Sequence, residues 1–337
     1  MKRSVIRGTG RFLPSRCVTN DDLSKMMDTN DEWIQQRTGI KTRYWIPEGE
    51  TVGASDLALE ASKKALDKAG WQPEEIDFII FATLSPDIYF PGSGCFLQTK
   101  LGLTDTPALD IRQQCTGFVY AMSTADAYIR SGMYKKILVV GAEVHSTGLD
   151  KTTAGRDVSV LFGDGAAAVC VEAVETESNV GVLGSILKAD GKYAEKLMLE
   201  LPASKYPERI NEEMLKTGGH FPIMDGTRIF KLAVRKLPEI TKEILEQTGL
   251  TLDDIDLIIP HQANLRINEA YQKTLGLPSE KIFNNIQKYG NTTAATIPLA
   301  LDETIEQGLV DTKSSTVLFV ALGAGLTWAA MIYRFGE

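Results

Sequence analysis

Three residues of this 337-residue chain could act together as a covalent catalyst: Cys115, His261 and Asn291. Cys115 follows a short apolar run, Ala108–Ile111, and opens a stretch in which Phe118, Ala121, Met122, Ala125 and Tyr128 recur at helical spacing. A cysteine at a helix start meets unsatisfied N–H groups and the positive end of the macrodipole. Both favour the thiolate, so a depressed pKa and a nucleophilic role are expected. His261 stands just beyond the apolar stretch Ile258-Ile-Pro, and Asn291 begins another helical stretch after Tyr289-Gly290. A lone cysteine at a tight turn is more often a small hydrophobe. Three such residues at strand ends and helix starts, where open α/β sheets carry their chemistry, reverse that reading.

The elements that must position them repeat within the chain. Residues 58–70 form a helical pattern closed by glycine and followed by Pro73-Glu-Glu-Ile-Asp-Phe-Ile-Ile; residues 237–249 form another, followed by Leu252-Asp-Asp-Ile-Asp-Leu-Ile-Ile. Gly70 and Gly249, and likewise Asp77 and Asp256, are 179 residues apart. Cys115 and Asn291 pair at an offset of 176, as do Gly132 and Gly308. Ile137-Leu-Val-Val-Gly matches Val317-Leu-Phe-Val-Ala at 180. Helices alternating with β-branched apolar runs predict a buried, largely parallel sheet in each half. The division expected is a first half over residues 1–180, a lid or substrate-loop segment over 181–224 and a second half over 225–337. Residues 11–53, 145–160 and 188–227 break the symmetry, and loops of this length usually bind or cover substrates.

Composition narrows the function. The chain is 43% hydrophobic and 24% charged, as in water-soluble globular proteins, with a net charge of −8. That charge makes nucleic acid a poor partner. No apolar run reaches bilayer length and the N-terminal stretch lacks a signal-type core, so a cytoplasmic protein without membrane association is expected. The four cysteines include no C-x-x-C pair, which argues against zinc and against a disulfide framework. Cys95 and Cys170 read as core filler, and His145 and His220 as loop residues without chemistry.

Six motifs in order are Asp31-Glu-Trp33-Ile with Arg37-Thr-Gly-Ile, Cys115-Thr-Gly-Phe, Phe162-Gly-Asp-Gly-Ala, Pro260-His-Gln-Ala-Asn, Gly290-Asn-Thr and Gly323-Ala-Gly-Leu-Thr-Trp. With them the chain resembles the β-ketoacyl-acyl-carrier-protein synthase III family of condensing enzymes over nearly its whole length. The resemblance implies a thiolase-like, five-layered αβαβα fold built from two similar halves. It implies decarboxylative condensation of an acyl-CoA primer, acetyl or another short acyl group, with malonyl-acyl carrier protein at the start of fatty-acid synthesis. No cofactor is implied, since the two thioesters are the substrates.

The same resemblance implies roles. Cys115 carries the acyl group, while His261 and Asn291 donate to the malonyl thioester oxygen as enolate charge builds. Backbone N–H groups of Cys115 and Ala324 form an oxyanion hole. Trp33, Arg37, Arg156 and Ala263 hold CoA; Phe90, Gln114 and Leu322 shape the acyl pocket, Phe90 from the other subunit of a homodimer. For the carrier protein, Arg228, Lys231 and Arg235 share one helix face, and Arg266 follows His261. Asparagine at 291 separates the chain from elongating synthases, which have a second histidine, and residues 321–330 lack the second cysteine of thiolases.

Ala324, Leu322 and the pair Gln113-Gln114 depart from the family pattern of three glycines, a phenylalanine and small residues. Those departures bear on the primer. Alternatives are a secondary-metabolism paralogue that joins two acyl-CoAs or acylates oxygen or nitrogen, a Cys–His hydrolase, and a non-catalytic partner protein.

Overall fold

Runs such as Phe78–Ala82 and Leu257–Pro260 are apolar at every position, so strands built from them must be covered on both faces. In the computed structural model, which describes residues 1–336, they are. The first sheet has five strands in the order Lys2–Phe12, Gly165–Glu175, Lys136–Glu143, Phe78–Ala82, Ala108–Ile111. The second has four, in the order Leu257–Pro260, Thr316–Gly323, Thr327–Arg334, Gly181–Ala189.

Two helices, Gly117–Ser131 and Thr296–Glu306, lie between the sheets; Phe118, Met122, Ile297 and Leu301 share one core with Ile80, Val139 and Phe319. Helix Ala54–Ala69 covers the outer face of the first sheet, with Leu57 and Ala61 against Ile79 and Phe81. Helices Gly226–Thr248 and Leu265–Leu275 cover the second, with Leu237, Ile244 and Tyr271 against Ile258 and Leu318. Five layers result, α, β, α, β, α, as expected.

The sheets are mixed rather than largely parallel. Phe78–Ala82 is parallel to both neighbours and Leu257–Pro260 to Thr316–Gly323, but every other pairing is antiparallel. Parallel neighbours need a crossover connection. Only three residues join Thr316–Gly323 to Thr327–Arg334, so that strand must return antiparallel. A second correction concerns residues 181–189. They are an edge strand of the second sheet, paired with Thr327–Arg334, and not the start of a lid.

The internal repeat is visible in detail. Gly70 and Gly249 both end helices in the left-handed conformation, at φ 68° and 69°. The carboxylates of Asp77 and Asp256 accept from the N–H groups of Lys136 and Thr316, which open the next strands. The match of Cys115 with Asn291 does not hold, however. The turns Gln114–Thr116 and Thr293–Ala295 are the equivalent ones; each opens with a non-glycine residue at positive φ, Gln114 at 44° and Thr293 at 48°. Gln114 and Thr293 are 179 residues apart, so the counterpart of Cys115 is Ala294. The helix after Cys115 has 15 residues and its counterpart 11, which slips the register by the time Gly132 and Gly308 are reached.

Candidate active site

The turn Gln114–Thr116 sets Cys115 at the start of its helix, 6% exposed. Across from it runs the end of strand Thr316–Gly323. A Cβ on Gly323 would lie 2.4 Å from Cys115 Cβ and 2.9 Å from Sγ, so only glycine leaves room for the thiol. Burial and the nearby Glu143 push the thiol up to about 12, and the backbone N–H groups of Ala324 and Cys115 offset only part of this. The depressed pKa expected from the helix start is therefore reversed, because desolvation of a buried thiolate outweighs the dipole. Those N–H groups are the expected oxyanion donors.

His261 leaves the end of strand Leu257–Pro260, its N–H donating to Val320 O at 2.8 Å. Its Nδ1 lies 2.7 Å from Thr296 Oγ1, and its Nε2 is buried with no partner among the described residues. Burial lowers the imidazole to about 3, so it is neutral. Asn291 is fixed through its backbone, donating to Leu161 O at 2.8 Å and accepting from Gly163 N–H at 3.1 Å. Its Oδ1 accepts from Thr293 N–H at 2.8 Å, which turns its NH2 group toward the open space. Cys115, His261 and Asn291 line one cavity of ≈450 Å³.

That cavity opens past Ala263, Lys231 and Arg266 to Trp33 and Arg37. The Arg37 guanidinium is 4.3 Å from the Trp33 ring centroid and that of Arg156 is 5.0 Å away, so three of the four expected CoA residues meet at one mouth, and the fourth, Ala263, lines the cavity behind it. Lys231 and Arg266 also reach this mouth. Arg228 and Arg235 do not: Arg228 lies over the Tyr193 ring and Arg235 pairs with Glu239 on its own helix. Leu322 lines this outer cavity, not the acyl pocket expected of it, because it lies on the His261 side of Cys115.

A second cavity of ≈620 Å³ lies on the other side of Cys115, walled by Gln114, Phe162, Thr293 and Ala324 and roofed by residues 194–205. Phe90 does not line it within its own protomer and is 72% exposed, whereas Tyr89 does. His145, expected as a loop residue without chemistry, belongs to this wall. It is buried, with Nε2 2.8 Å from Thr293 Oγ1, and lines this cavity. His220 stacks on Phe221. Cys170 is core, but Cys95 is exposed on helix Ser93–Lys100. Thr296 and Glu143 sit in no motif, and only the folded chain brings them to the site.

Known proteins share this fold over nearly the whole chain. Residues 109–191 match the profile of 3-oxoacyl-[acyl-carrier-protein (ACP)] synthase III, and residues 245–335 that of its C-terminal part. The chain is 45% identical over 332 residues, 98% of each chain, to the β-ketoacyl-[acyl-carrier-protein] synthase III of Caldanaerobacter subterraneus subsp. tengcongensis. Its fold matches the crystal structure of 3-oxoacyl-[acyl-carrier-protein] synthase III from Aquifex aeolicus VF5 with a TM-score of 0.88, at 42% identity and 98% and 100% coverage. It also matches the priming β-ketosynthase of the R1128 polyketide pathway with a TM-score of 0.88, at 31% identity and 99% and 97% coverage.

Proposed function

The chain belongs to the 3-oxoacyl-[acyl-carrier-protein] synthase III family, and on that premise we propose that Cys115, His261 and Asn291 divide its reaction between them. It is a condensing acyltransferase that initiates fatty-acid synthesis from an acyl-CoA and malonyl-acyl carrier protein. Both substrates arrive as activated thioesters, so the reaction needs no cofactor.

In the first half-reaction Cys115 Sγ attacks the acyl-CoA carbonyl carbon. The oxygen becomes negative and accepts from the N–H groups of Cys115 and Ala324; the C–S bond to CoA then breaks, and CoA leaves as its thiol with the proton from Cys115. In the second, the bond from malonyl carbon to its carboxylate breaks and carbon dioxide leaves. The electron pair moves onto the thioester oxygen, held by His261 and Asn291. The enolate carbon then attacks the acyl carbon, and Cys115 leaves as thiolate. For His261 to donate from Nε2, its Nδ1 must accept. The Thr296 hydroxyl, 2.7 Å from Nδ1 and 2.9 Å from Thr293 O, then donates its one hydrogen to the imidazole and not to the carbonyl.

The observation that carries this reading is the pair of unused polar groups opposite the thiol, the buried Nε2 of His261 and the NH2 of Asn291. The test is intact mass after incubation with acyl-CoAs, followed by carbon dioxide release from malonyl-carrier protein. Acyl mass on Cys115→Ala would overturn the assignment of the nucleophile. His261→Ala and Asn291→Ala should still acylate but lose about 10²–10³-fold in decarboxylation.

The reading includes a homodimer in the cytoplasm, where CoA thioesters and carrier proteins meet. Strand Ala108–Ile111 is an uncovered sheet edge, and Ile88, Tyr89 and Phe90 are exposed. A second copy would cover them and bring Phe90 to its partner's inner cavity. Trp33, Arg37 and Arg156 would hold CoA, and Lys231 with Arg266 the carrier protein. A second reading, the same chemistry serving a polyketide or other secondary pathway, is favoured by the likeness to the R1128 priming enzyme. Identifying the carrier protein and the released product separates the two.

A further inference from the structure

The corrected internal repeat pairs Cys115 with Ala294 and, at the offset of 180 that relates Ile137 to Val317, Glu143 with Gly323. Each turn therefore faces the strand end contributed by the other half. Beside Cys115 that strand end is Gly323-Ala324, whose glycine lets the backbone close on the thiol. Beside Ala294 it is Glu143, fully buried, and its carboxylate faces the N–H of Ala294. Glu143 Oε1 accepts from Ala294 N–H at 3.4 Å and Leu84 N–H at 3.2 Å. Oε2 accepts from Thr83 Oγ1 at 3.1 Å, Ser85 N–H at 3.1 Å and Ser85 Oγ at 2.5 Å.

The turn that Glu143 holds is the one that sets the decarboxylating pair. Thr293 N–H fixes Asn291 Oδ1, and Thr296 Oγ1, three residues further on, holds His261 Nδ1. We propose that Glu143 is a positioning residue for decarboxylation: its carboxylate takes the Ala294 N–H, the second half's counterpart of the Cys115 donor, while Ser85, bonded to that carboxylate, takes the Val144 N–H, the counterpart of the Ala324 donor, and together they aim His261 and Asn291. The proposal rests on the function given above.

Glu143→Ala and Glu143→Gln in the full-length enzyme, assayed at pH 8, test it through two readouts, acyl mass on Cys115 and carbon dioxide release from malonyl-carrier protein. In Glu143→Ala decarboxylation should fall by about 10–100-fold, the cost of a misplacement near 1 Å. Acylation should hold or rise, because the negative charge near the thiol is gone. Added formate should restore part of the decarboxylation in Glu143→Ala, by refilling the vacated anion site, and none in Glu143→Gln.

Equal loss of both half-reactions, unchanged decarboxylation, or no response to formate in folded Glu143→Ala would overturn the proposal. Should Glu143→Ala not fold, Glu143→Gln decides: loss confined to decarboxylation supports the proposal and equal loss refutes it. Wild-type enzyme that acylates but releases no carbon dioxide refutes the underlying function instead.

Discussion

Cys115, the proposed nucleophile, is held in its neutral form. Burial and Glu143 keep the thiol near 12, so below that value the thiolate fraction grows about tenfold per pH unit. Alkylation of Cys115 by iodoacetamide, in a Cys17→Ser, Cys95→Ser background that removes the exposed thiols, should climb at that slope from about pH 8 to 10, above the value of about 7 to which burial raises Glu143. A plateau within that range would mean that the N–H groups at the turn outweigh desolvation. The neighbouring Gln114 presents a different question. It lines the inner cavity and sits at φ 44°, where alanine would be strained. Gln114→Gly keeps the turn and clears the amide, and should shift kcat/KM toward longer acyl-CoAs by about tenfold, as lost exclusion of one or two methylenes gives. An unchanged ranking of primers would show that the amide does not face the chain.

At the scale of elements, the two turns at positive φ and the glycine opposite Cys115 set the geometry. Gly323→Ala puts a methyl group 2.4 Å from Cys115 Cβ, an overlap that only a backbone shift can relieve, at about 1–3 kcal/mol. Acylation by any acyl-CoA should fall by at least about tenfold while thermal unfolding shifts little; normal acylation would mean that the strand end moves freely. Much of this was legible beforehand. Apolar runs and helix-ending glycines gave the two halves, and Cys115, His261 and Asn291 stood out by type and place. Strand direction was not legible, since an apolar run carries none. The match of Cys115 with Ala294 was hidden because the second helix is four residues shorter, which made a polar residue three positions early look equivalent. His145 and Glu143 lack any local signature; the hydrogen-bond partners of their side chains lie 58–151 positions away.

For the whole molecule, charge and surface decide encounter. An acidic enzyme meeting an acidic carrier protein needs local positive charge, and Lys231 and Arg266 flank the outer cavity. Lys231→Glu or Arg266→Glu should raise KM for malonyl-carrier protein in a salt-dependent way and leave acyl-CoA loading nearly unchanged. Equal effects on both substrates would assign these residues to CoA. Phe90→Ser, at a tip 72% exposed, should weaken self-association, read by light scattering across concentration, and alter primer ranking as well. Unchanged association and ranking would remove that tip from the interface.

The two sheets divide the chain cleanly, with all strands of one within residues 2–175 and all strands of the other within 181–334. The chemistry does not divide there: Cys115 faces Gly323, Phe162 bridges to Asn291, and Glu143 reaches Ala294. Recombination between relatives at residues 176–180 would thus preserve every sheet pairing while mixing both sides of the site. Such hybrids should be readily inherited as folded proteins and rarely as working enzymes. Exchange at this boundary would be tolerated only between lineages whose two halves still match across the seam.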